Sequence, residues 1–400
     1  MFHLGVIRRL LHLNLFDKID RINSVSGGSI AAGMVMKEVS KARFQSLEDF
    51  DQRVIRPVIL FIQESPRGNI YKVIPIRRDP EKFANLLDMK LFHGISFRDL
   101  AKAPEWTCYA TSLNSAYSWK FSQIEIGDSP TGHTQPTEAD RIALGVAASA
   151  CFPPLFRPLR FSTKDRSFMF KYVEGKRVDR INPSPPDTIL LTDGGVYDNL
   201  GSESVITKKS PFIVSDASGI ARHWRHEVPG LIHEVKRPID IAMDQNGKLR
   251  RRLLYDVLLQ SDQSILIEAA KPLSTYTSIV NPKKDSPTPP GDMPGYPDLS
   301  RDLEAGIGEI RTDLNAFHDV EIQLLIWNGM AKTDAALKRW IPSVIDPTQW
   351  NAVPTIKGIS LDSALDILQT GKKLKVWGQL HKQLHSDERK KFVEHITAML

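Results

Sequence analysis

The chain has 400 residues, of which 41% are hydrophobic, and it carries a formal charge of +6 at pH 7. This length and hydrophobic content predict a globular protein with one large core. The charge is too modest to indicate a nucleic-acid partner. The two cysteines, Cys108 and Cys151, each lie in an apolar segment. They do not indicate a disulfide framework, and they favour a reducing compartment such as the cytoplasm.

The first residues, 1–15, are apolar at helical spacing, with Phe2, Val6, Leu10 and Leu13 on one face. Arg8 and Arg9 interrupt this stretch and no small-residue cleavage site follows, so it does not resemble a signal peptide. No apolar run in the chain approaches the roughly 20 residues of a membrane span. Any membrane contact of this cytoplasmic protein is therefore expected to be peripheral.

The stretch around Ser26 organises the chain. A short strand signal at 19–23 leads to Ser26, Gly27 and Gly28, and a helical segment follows to about residue 39. A serine on a sharp turn from strand to helix, flanked by small residues, is typical of a nucleophile elbow. Ser26 then lies at a helix N-terminus, where backbone N–H groups and the helix dipole favour an oxyanion. The alternative is that Ser-Gly-Gly is an ordinary turn.

Several further elements separate this elbow from the next informative motif. Helical patterns cover 47–63, 79–91 and 96–100, a strand and its hairpin partner are predicted at 107–111 and 118–122, and a helix is predicted at 141–150. Pro153 and Pro154 end that alanine-rich helix, whose small residues would let it pack beside the elbow. A polar, exposed hairpin or flap is expected at 160–187.

A candidate carboxylate follows at the end of a buried strand. The strand 188–192 leads directly into Asp193, Gly194 and Gly195. An acidic residue at a strand end, followed by glycines, is how a sheet delivers a carboxylate to a site at its edge. An aspartate that only shapes the turn is the alternative, and Asp198 and Asn199 are expected to fix that turn.

The second half of the chain contains a strand at 211–216, a proline-rich surface loop at 281–300, a strong helix from 321 to about 337 and a charged helical tail at 361–400. We predict a catalytic domain over 1–345 and a helical C-terminal tail over 346–400. The densest basic run continues into a helical pattern, and it is either a solvated helix face or a contact with an anionic membrane. The run comprises Lys248, Arg250, Arg251 and Arg252.

Three motifs together resemble the patatin-like phospholipases. They are S-V-S-G-G-S at the elbow, A-A-S-A-C-F-P-P-L-F at the helix end and D-G-G-V-Y-D-N at the strand end. The resemblance runs from Phe2 to about Leu337. It implies a three-layer α/β/α fold, hydrolysis of phospholipids or other acyl-ester lipids, and no cofactor or metal. By position it makes Ser26 the nucleophile and Asp193 the base of a Ser-Asp dyad.

Two departures from the family pattern concern the oxyanion hole. The family elbow is G-x-S-x-G, and Ser24 stands where its first glycine is expected. The family also has a glycine-rich loop, ending in a basic residue, just before the F-H-L-G helix, and that loop supplies oxyanion donors. Because Met1 falls after it, we expect a lost or misassigned start, with the Gly27 N–H as the remaining donor.

Two other functions remain open at this stage. A Ser-Asp-His triad would place His223 or His226 after Asp193 in the chain order of the α/β-hydrolases, although both histidines lie in a polar stretch. A non-catalytic lipid-binding or scaffold protein would keep the fold without turnover. Measuring both ester hydrolysis and vesicle binding would distinguish the lipid-binding or scaffold protein from the hydrolase.

Overall fold

The computed structural model describes residues 1–63, 79–173, 176–208, 211–218, 231–261, 263–277, 295–297, 299–310, 317–355 and 364–368. His223 and His226 lie outside these ranges. So do most of the proline-rich segment 281–300 and most of the predicted tail.

The strands form a large mixed sheet and a small parallel pair. The strands are β1 Arg21–Val25, β2 Glu105–Ser112, β3 Ser118–Ser122, β4 Ile126–Asp128, β5 Gly132–Thr134, β6 Leu159–Ser162, β7 Met169–Val173, β8 Lys176–Ile181, β9 Thr188–Asp193, β10 Ile213–Asp216 and β11 Ile265–Glu268. In the large sheet the order is β6-β9-β2-β3-β4-β5-β7-β8, and β1 also pairs with β2. Strands β10 and β11 form the separate parallel pair.

Helices cover the sheet on both faces. They are α1 Phe2–His12, α2 Gly27–Lys41, α3 Leu47–Phe50, α4 Arg56–Gln63, α5 Pro80–Leu87, α6 Ile142–Ala150, α7 Gly195–Asp198, α8 Glu203–Lys208, α9 Leu231–Leu259, α10 Ser274–Thr277, α11 Arg301–Gly308 and α12 Asp319–Trp340. Short π-helical turns at Asp51–Ile55 and Asp88–Phe92 extend α3 and α5.

Strand β2 is the centre of the layered structure, and nearly all its side chains are buried. On one face, the Trp106 indole donates to Ser24 Oγ at 2.8 Å, and Cys108 Sγ lies 3.4 Å from the Gly145 carbonyl of α6. On the other face, Thr111 Oγ1 accepts from the Tyr197 N–H of α7 at 3.2 Å. A strand buried on both faces lies between two helical layers. The predicted three-layer α/β/α fold is therefore confirmed.

Strands β1 and β9 meet end to end along one edge of β2. Strand β1 runs parallel to β2 and its last pair is Val25 with Tyr109. Strand β9 runs antiparallel to β2 and its last residue, Asp193, pairs with Ala110. Because Tyr109 and Ala110 are consecutive, the carboxyl ends of two strands that run towards each other converge on one point of the sheet.

The first helix and the long helix near the other end of the chain pack backbone to backbone. A Cβ on Gly5 would lie 2.0 Å from the Ile326 carbonyl oxygen, and one on Gly329 would lie 2.2 Å from that of Phe2. Beside this contact Arg9, 1% exposed, is paired with the buried Asp334. Helices α1 and α12, separated by some three hundred residues of chain, therefore share one core.

Most elements that periodicity predicted are confirmed within one to three residues. These are the elbow strand and helix, β2 and β3, the alanine-rich helix α6, β9, β10 and α12. The 160–187 segment contains the predicted hairpin, β7 with β8, but its first part pairs with β9 as strand β6. The predicted domain boundary at 345 stays a prediction. Hydrogen bonds from Arg9 and Trp327 reach Ala352 and Pro354.

Candidate active site

Ser26 has the backbone geometry of an elbow. Its φ is 52° and its ψ is −128°, between the last residue of β1 and the first residue of α2. A positive φ at a non-glycine residue costs on the order of 1–3 kcal/mol and persists only where surrounding contacts impose it. The strain comes from the abrupt change of direction from strand to helix, which leaves the side chain half-buried at the turn.

The Ser26 hydroxyl donates to the Asp193 carboxylate, with Oγ 2.9 Å from Oδ2. The other carboxylate oxygen, Oδ1, accepts the Gly195 N–H at 2.7 Å. Asp193 is 1% exposed. Burial raises the pKa of this carboxyl to about 6, while the hydrogen bonds from Gly195 and Ser26 oppose the rise. The structure therefore brings together the two residues that the sequence predicts as nucleophile and base.

A chain of hydroxyl groups lies beneath the elbow. Ser149 Oγ accepts the Ser26 N–H at 2.8 Å and lies 2.9 Å from Ser29 Oγ. Ser29 Oγ is 3.0 Å from Ser24 Oγ, which accepts the Trp106 indole N–H. Ser24, at the position of the family's first glycine, therefore has partners for its hydroxyl inside the core. Sequence reasoning missed the role of Ser149, although a serine inside the alanine-rich helix was a visible signal.

The loop after β9 is held by the end of α6 and by β2. The Gly194 N–H donates to the Ser149 carbonyl at 3.1 Å, and the Asp193 N–H donates to that of Cys151 at 3.2 Å. A Cβ on Gly194 would lie 2.3 Å from the Tyr109 carbonyl oxygen. A larger residue here would force β9 away from β2, so only glycine fits.

The first residues of α2 form the candidate oxyanion site. The Gly27 N–H is the first amide of this helix, and first-turn amides have no acceptor within their own helix. A Cβ on Gly27 would meet nothing within 4 Å, whereas one on Gly28 would touch the His3 ring at 3.7 Å. The helix N-terminus is thus open in front of Gly27 and flanked by an imidazole.

That imidazole belongs to α1 and was not predicted. His3 Nδ1 lies 2.7 Å from Ser215 Oγ at the end of β10. Burial, with the N-terminal amine nearby, lowers the pKa of His3 to about 4, against a weaker opposing effect of Asp216. His3 is therefore neutral at physiological pH. In the sequence His3 lies in the F-H-L-G run, whose pattern does not indicate a catalytic or binding residue.

A cavity of about 1530 Å³ opens in front of the dyad. This exceeds the ~300–1,000 Å³ of ordinary small-molecule pockets. Apolar side chains from several elements supply much of its lining, among them Phe152, Leu155, Phe212 and Val214. Ser26, Gly27 and Asp193 also line it. A chamber of this size and lining has room for a long apolar molecule beside the Ser26–Asp193 pair.

The residues after Asp193 fix the turn, as the sequence predicted. Asp198 accepts N–H groups from Leu200, Ser202 and Glu203 at 2.8–3.0 Å. The Asn199 amide donates to Ser218 Oγ at 2.8 Å. Both side chains stabilise the connection between α7 and α8.

The basic run on α9 does not lie on one solvated helix face, so that alternative is wrong for Arg250 and Arg251, while the contact with an anionic membrane stays a prediction. Arg251 pairs with the buried Asp216 at 2.6 Å, and Arg250 lies 3.6 Å from Asp198. Lys248 pairs along the helix with Asp244 at 2.7 Å, while Arg252 is exposed. Successive residues point about 100° apart on a helix, so a basic run in sequence spreads around it. Two of the four cations face inward.

In the described part of the chain, no group of three or more His, Cys, Asp or Glu side chains could hold a metal ion. The same residues include no helix that is long and apolar enough to cross a bilayer.

Residues 1–206 match the sequence profile of the patatin-like phospholipase family. The match covers more than half of the chain and includes the elbow, the alanine-rich helix and the D-G-G turn. The chain therefore belongs to this family. Membership supports a general function as a hydrolase of lipid acyl esters. No curated protein matches the sequence significantly.

Proposed function

We propose that the protein is a serine lipid acyl hydrolase of the phospholipase A or lysophospholipase type, which works through a Ser26–Asp193 dyad and an acyl-enzyme. The observation that carries this proposal is the 2.9 Å hydrogen bond from Ser26 Oγ to Asp193 Oδ2 at the N-terminus of α2. The strained Ser26 backbone and the neighbouring apolar cavity support it.

In the first step Asp193 Oδ2 takes the Ser26 proton while Oγ attacks the ester carbonyl carbon. The tetrahedral oxyanion develops near the first-turn amides of α2, with the Gly27 N–H as a donor. When the intermediate collapses, the C–O bond to the alcohol breaks and the leaving oxygen takes the proton from Asp193. Ser26 then carries the acyl group.

In the second step Asp193 accepts a proton from water, and the resulting hydroxide oxygen attacks the acyl carbonyl. Collapse of this intermediate breaks the bond to Oγ, and the proton on Asp193 returns to Ser26. Free fatty acid leaves and the dyad is restored. A carboxyl with a pKa of about 6 is a stronger base than an ordinary aspartate, which suits both proton transfers.

The test is active-site labelling together with hydrolysis of a p-nitrophenyl ester and of a phospholipid. We expect a fluorophosphonate probe to label the intact chain on Ser26, and Ser26→Ala to abolish both labelling and turnover. Removal of a nucleophile typically costs several orders of magnitude in kcat. The matched control is Ser162→Ala, which changes an exposed serine on β6 and should keep full activity.

Each remaining outcome assigns a different function. Labelling that survives Ser26→Ala would indicate another nucleophile and contradict the proposal. A loss of turnover in His223→Ala as large as in Asp193→Asn would favour the Ser-Asp-His triad. Vesicle binding without any ester hydrolysis by the intact chain would favour the lipid-binding scaffold.

A further inference from the structure

The last turn of helix α6 contacts both halves of the proposed dyad. Ser149 is completely buried, and its Oγ accepts the Ser26 N–H at 2.8 Å. Its carbonyl oxygen accepts the N–H of Gly194, the residue after Asp193, at 3.1 Å. The last four carbonyl groups of a helix have no partner within that helix, so α6 is able to bind the turn after β9 in this way. One residue therefore holds the two strand ends that carry Ser26 and Asp193.

Ser26 needs a contact from outside its own helix to keep its conformation. Its φ of 52° is uncommon for a residue with a side chain. As the N-cap of α2, Ser26 begins the helix with its carbonyl, which accepts the Ser29 N–H at 2.9 Å. Its own N–H is bound outside that helix, by Ser149 Oγ. Because strained backbone persists only where neighbouring contacts impose it, this hydrogen bond acts on the strained residue itself.

The Ser149 hydroxyl is itself held by a chain of neutral groups. Its Oγ lies 2.9 Å from Ser29 Oγ, which lies 3.0 Å from Ser24 Oγ. The Trp106 indole N–H, which can only donate, binds Ser24 Oγ at 2.8 Å. Donation can then run in one direction, from the indole through Ser24 and Ser29 to Ser149. In that arrangement Ser149 Oγ is an acceptor for both Ser29 and Ser26.

We propose that Ser149 is a positioning residue of the active site, whose hydroxyl keeps the Ser26 backbone in the conformation that directs Oγ at Asp193. This inference rests on the proposed Ser26–Asp193 reaction. Ser149 binds the amide of Ser26 and not its hydroxyl, so it acts on the chemistry through Ser26. A purely structural serine would satisfy a buried N–H and contribute only to stability, whereas a positioning residue also sets the rate of acyl transfer in the folded protein.

The test compares Ser149→Ala with the unmodified 400-residue chain in hydrolysis of a p-nitrophenyl ester. Without its acceptor the Ser26 N–H is unbonded, the elbow relaxes, and Oγ leaves its 2.9 Å approach to Asp193. We expect kcat to fall about 10- to 100-fold, the usual effect of a small misplacement of a reacting group. KM should change by less than about twofold, because Ser149 does not line the cavity.

The pH profile is a second measurement, which a change in stability alone would not move. Burial raises the pKa of Asp193 to about 6, and hydrogen bonds from Gly195 and Ser26 oppose that rise. A weaker bond from Ser26 should therefore raise the pKa further. The base must be ionised to accept a proton, so the acid limb of kcat/KM in Ser149→Ala should move to higher pH.

Two further substitutions at the same position keep the test decisive. Ser149→Thr retains the hydroxyl, and it should restore the acid limb and most of kcat even if its extra methyl group lowers the unfolding midpoint. Ser149→Cys fills nearly the same space with a weaker acceptor. It should give a smaller loss of kcat than Ser149→Ala, and it provides the comparison if the alanine variant does not fold.

The matched control is Ser122→Ala. Ser122 is 1% exposed at the end of β3, and its Oγ also accepts backbone N–H groups, from Ile124 at 3.2 Å and Glu125 at 3.0 Å. The substitution removes the same kind of buried hydrogen bond outside the proposed active site. It should lower the unfolding midpoint, as Ser149→Ala does, and leave kcat and the pH profile unchanged.

The outcomes separate the positioning role from the hydrolase proposal. An unchanged kcat in both Ser149→Ala and Ser149→Cys overturns the positioning role alone. A fall in kcat without a shift of the acid limb, or one that Ser122→Ala reproduces, assigns Ser149 a structural role and also overturns the proposal. No hydrolysis and no fluorophosphonate labelling of Ser26 in the unmodified chain contradicts the hydrolase and, with it, the positioning role.

Discussion

At Asp193, burial serves the proposed chemistry and lowers stability. A carboxyl whose pKa is raised from 3.8 to about 6 accepts a proton more readily than one in water, yet it is still ionised at neutral pH. The same burial penalises the charged form in the folded protein. Such a residue is expected where activity is selected at the expense of stability.

We predict that Asp193→Asn lowers turnover by orders of magnitude and stabilises the fold near neutral pH. The amide nearly matches the carboxylate in size, and its oxygen and nitrogen can bond the Gly195 N–H and Ser26 Oγ. A pKa difference of about two units between folded and unfolded chains corresponds to on the order of 3 kcal/mol. Urea unfolding of both proteins across pH, followed by far-UV circular dichroism, measures the effect.

The pH dependence of this gain in stability follows from the raised pKa of Asp193. The folded chain binds the proton more tightly, so this group favours folding below pH 3.8 and loses that contribution as pH rises through about 6. The gain from Asp193→Asn should therefore be full at about pH 8 and vanish near pH 4. A gain independent of pH would show that Asp193 is not the group responsible. The control is Asp165→Asn, which changes an exposed aspartate and should give no such pH-dependent gain.

At the scale of elements, the site depends on the meeting of β1 and β9 on one edge of β2. Val25 and Asp193 pair with consecutive residues of β2, so the two strand ends cannot move apart without breaking that register. Gly194 permits this close approach to Tyr109. Backbone pairing, more than side-chain packing, sets the Ser26–Asp193 distance.

We predict that Gly194→Ala destabilises the fold by about 1–3 kcal/mol, the usual cost of overpacking. The same substitution should also reduce turnover, because it moves Asp193 away from Ser26. Gly27→Ala is the matched control because it alters the glycine after the other strand, where a Cβ has open space. It should leave the unfolding midpoint unchanged or slightly raised, since alanine favours the helix. Equal midpoints for the two variants would contradict the close approach at Gly194.

Local patterns predicted most of this architecture, and non-local pairing was beyond them. The strand before Ser26, helix α6 and helix α12 follow from periodicity within short windows. The antiparallel approach of β9 to β2 depends on which distant segments pair, and no local spacing encodes that choice. Ser26 and Asp193 could still be singled out from the sequence because each lies beside glycines at a strand end.

Two further features show where sequence reasoning failed and why. The basic run on α9 was interpreted from proximity in sequence, but helical geometry turns Arg250 and Arg251 inward to Asp198 and Asp216. Ser149 and His3 entered the site only through packing of α6 and α1 against α2 and β10. Their polar partners lie far away in the chain, so their roles became visible only in three dimensions.

At the scale of the whole molecule, the core extends well past residue 206. Buried residues of α12 belong to the same hydrophobic cluster as those of α1 and α2. Ala364 and Leu368 pack with Leu303, Ile307 and Leu324 in a smaller cluster. The family match therefore marks where the sequence pattern is recognisable, and the folding unit is larger.

We predict that a chain ending after residue 206 does not fold, whereas one ending after residue 368 keeps cooperative unfolding and activity. The shorter chain loses all of α12, so the face of α1 that packs on this helix becomes exposed to water. Thermal unfolding and fluorophosphonate labelling of both chains test this. Cooperative unfolding of the 206-residue chain would contradict the shared core.

The end-to-end meeting of β1 and β9 also determines when the proposed Ser26–Asp193 dyad can form during synthesis. Ser26 leaves the ribosome early, and its hydrogen-bond partner follows 167 residues later. Until β9 aligns against β2, the serine is an ordinary alcohol without a base or a rigid turn. A nascent chain therefore contains the proposed nucleophile before the proposed base is in place, so the proposed hydrolysis can begin only after β9 has paired with β2.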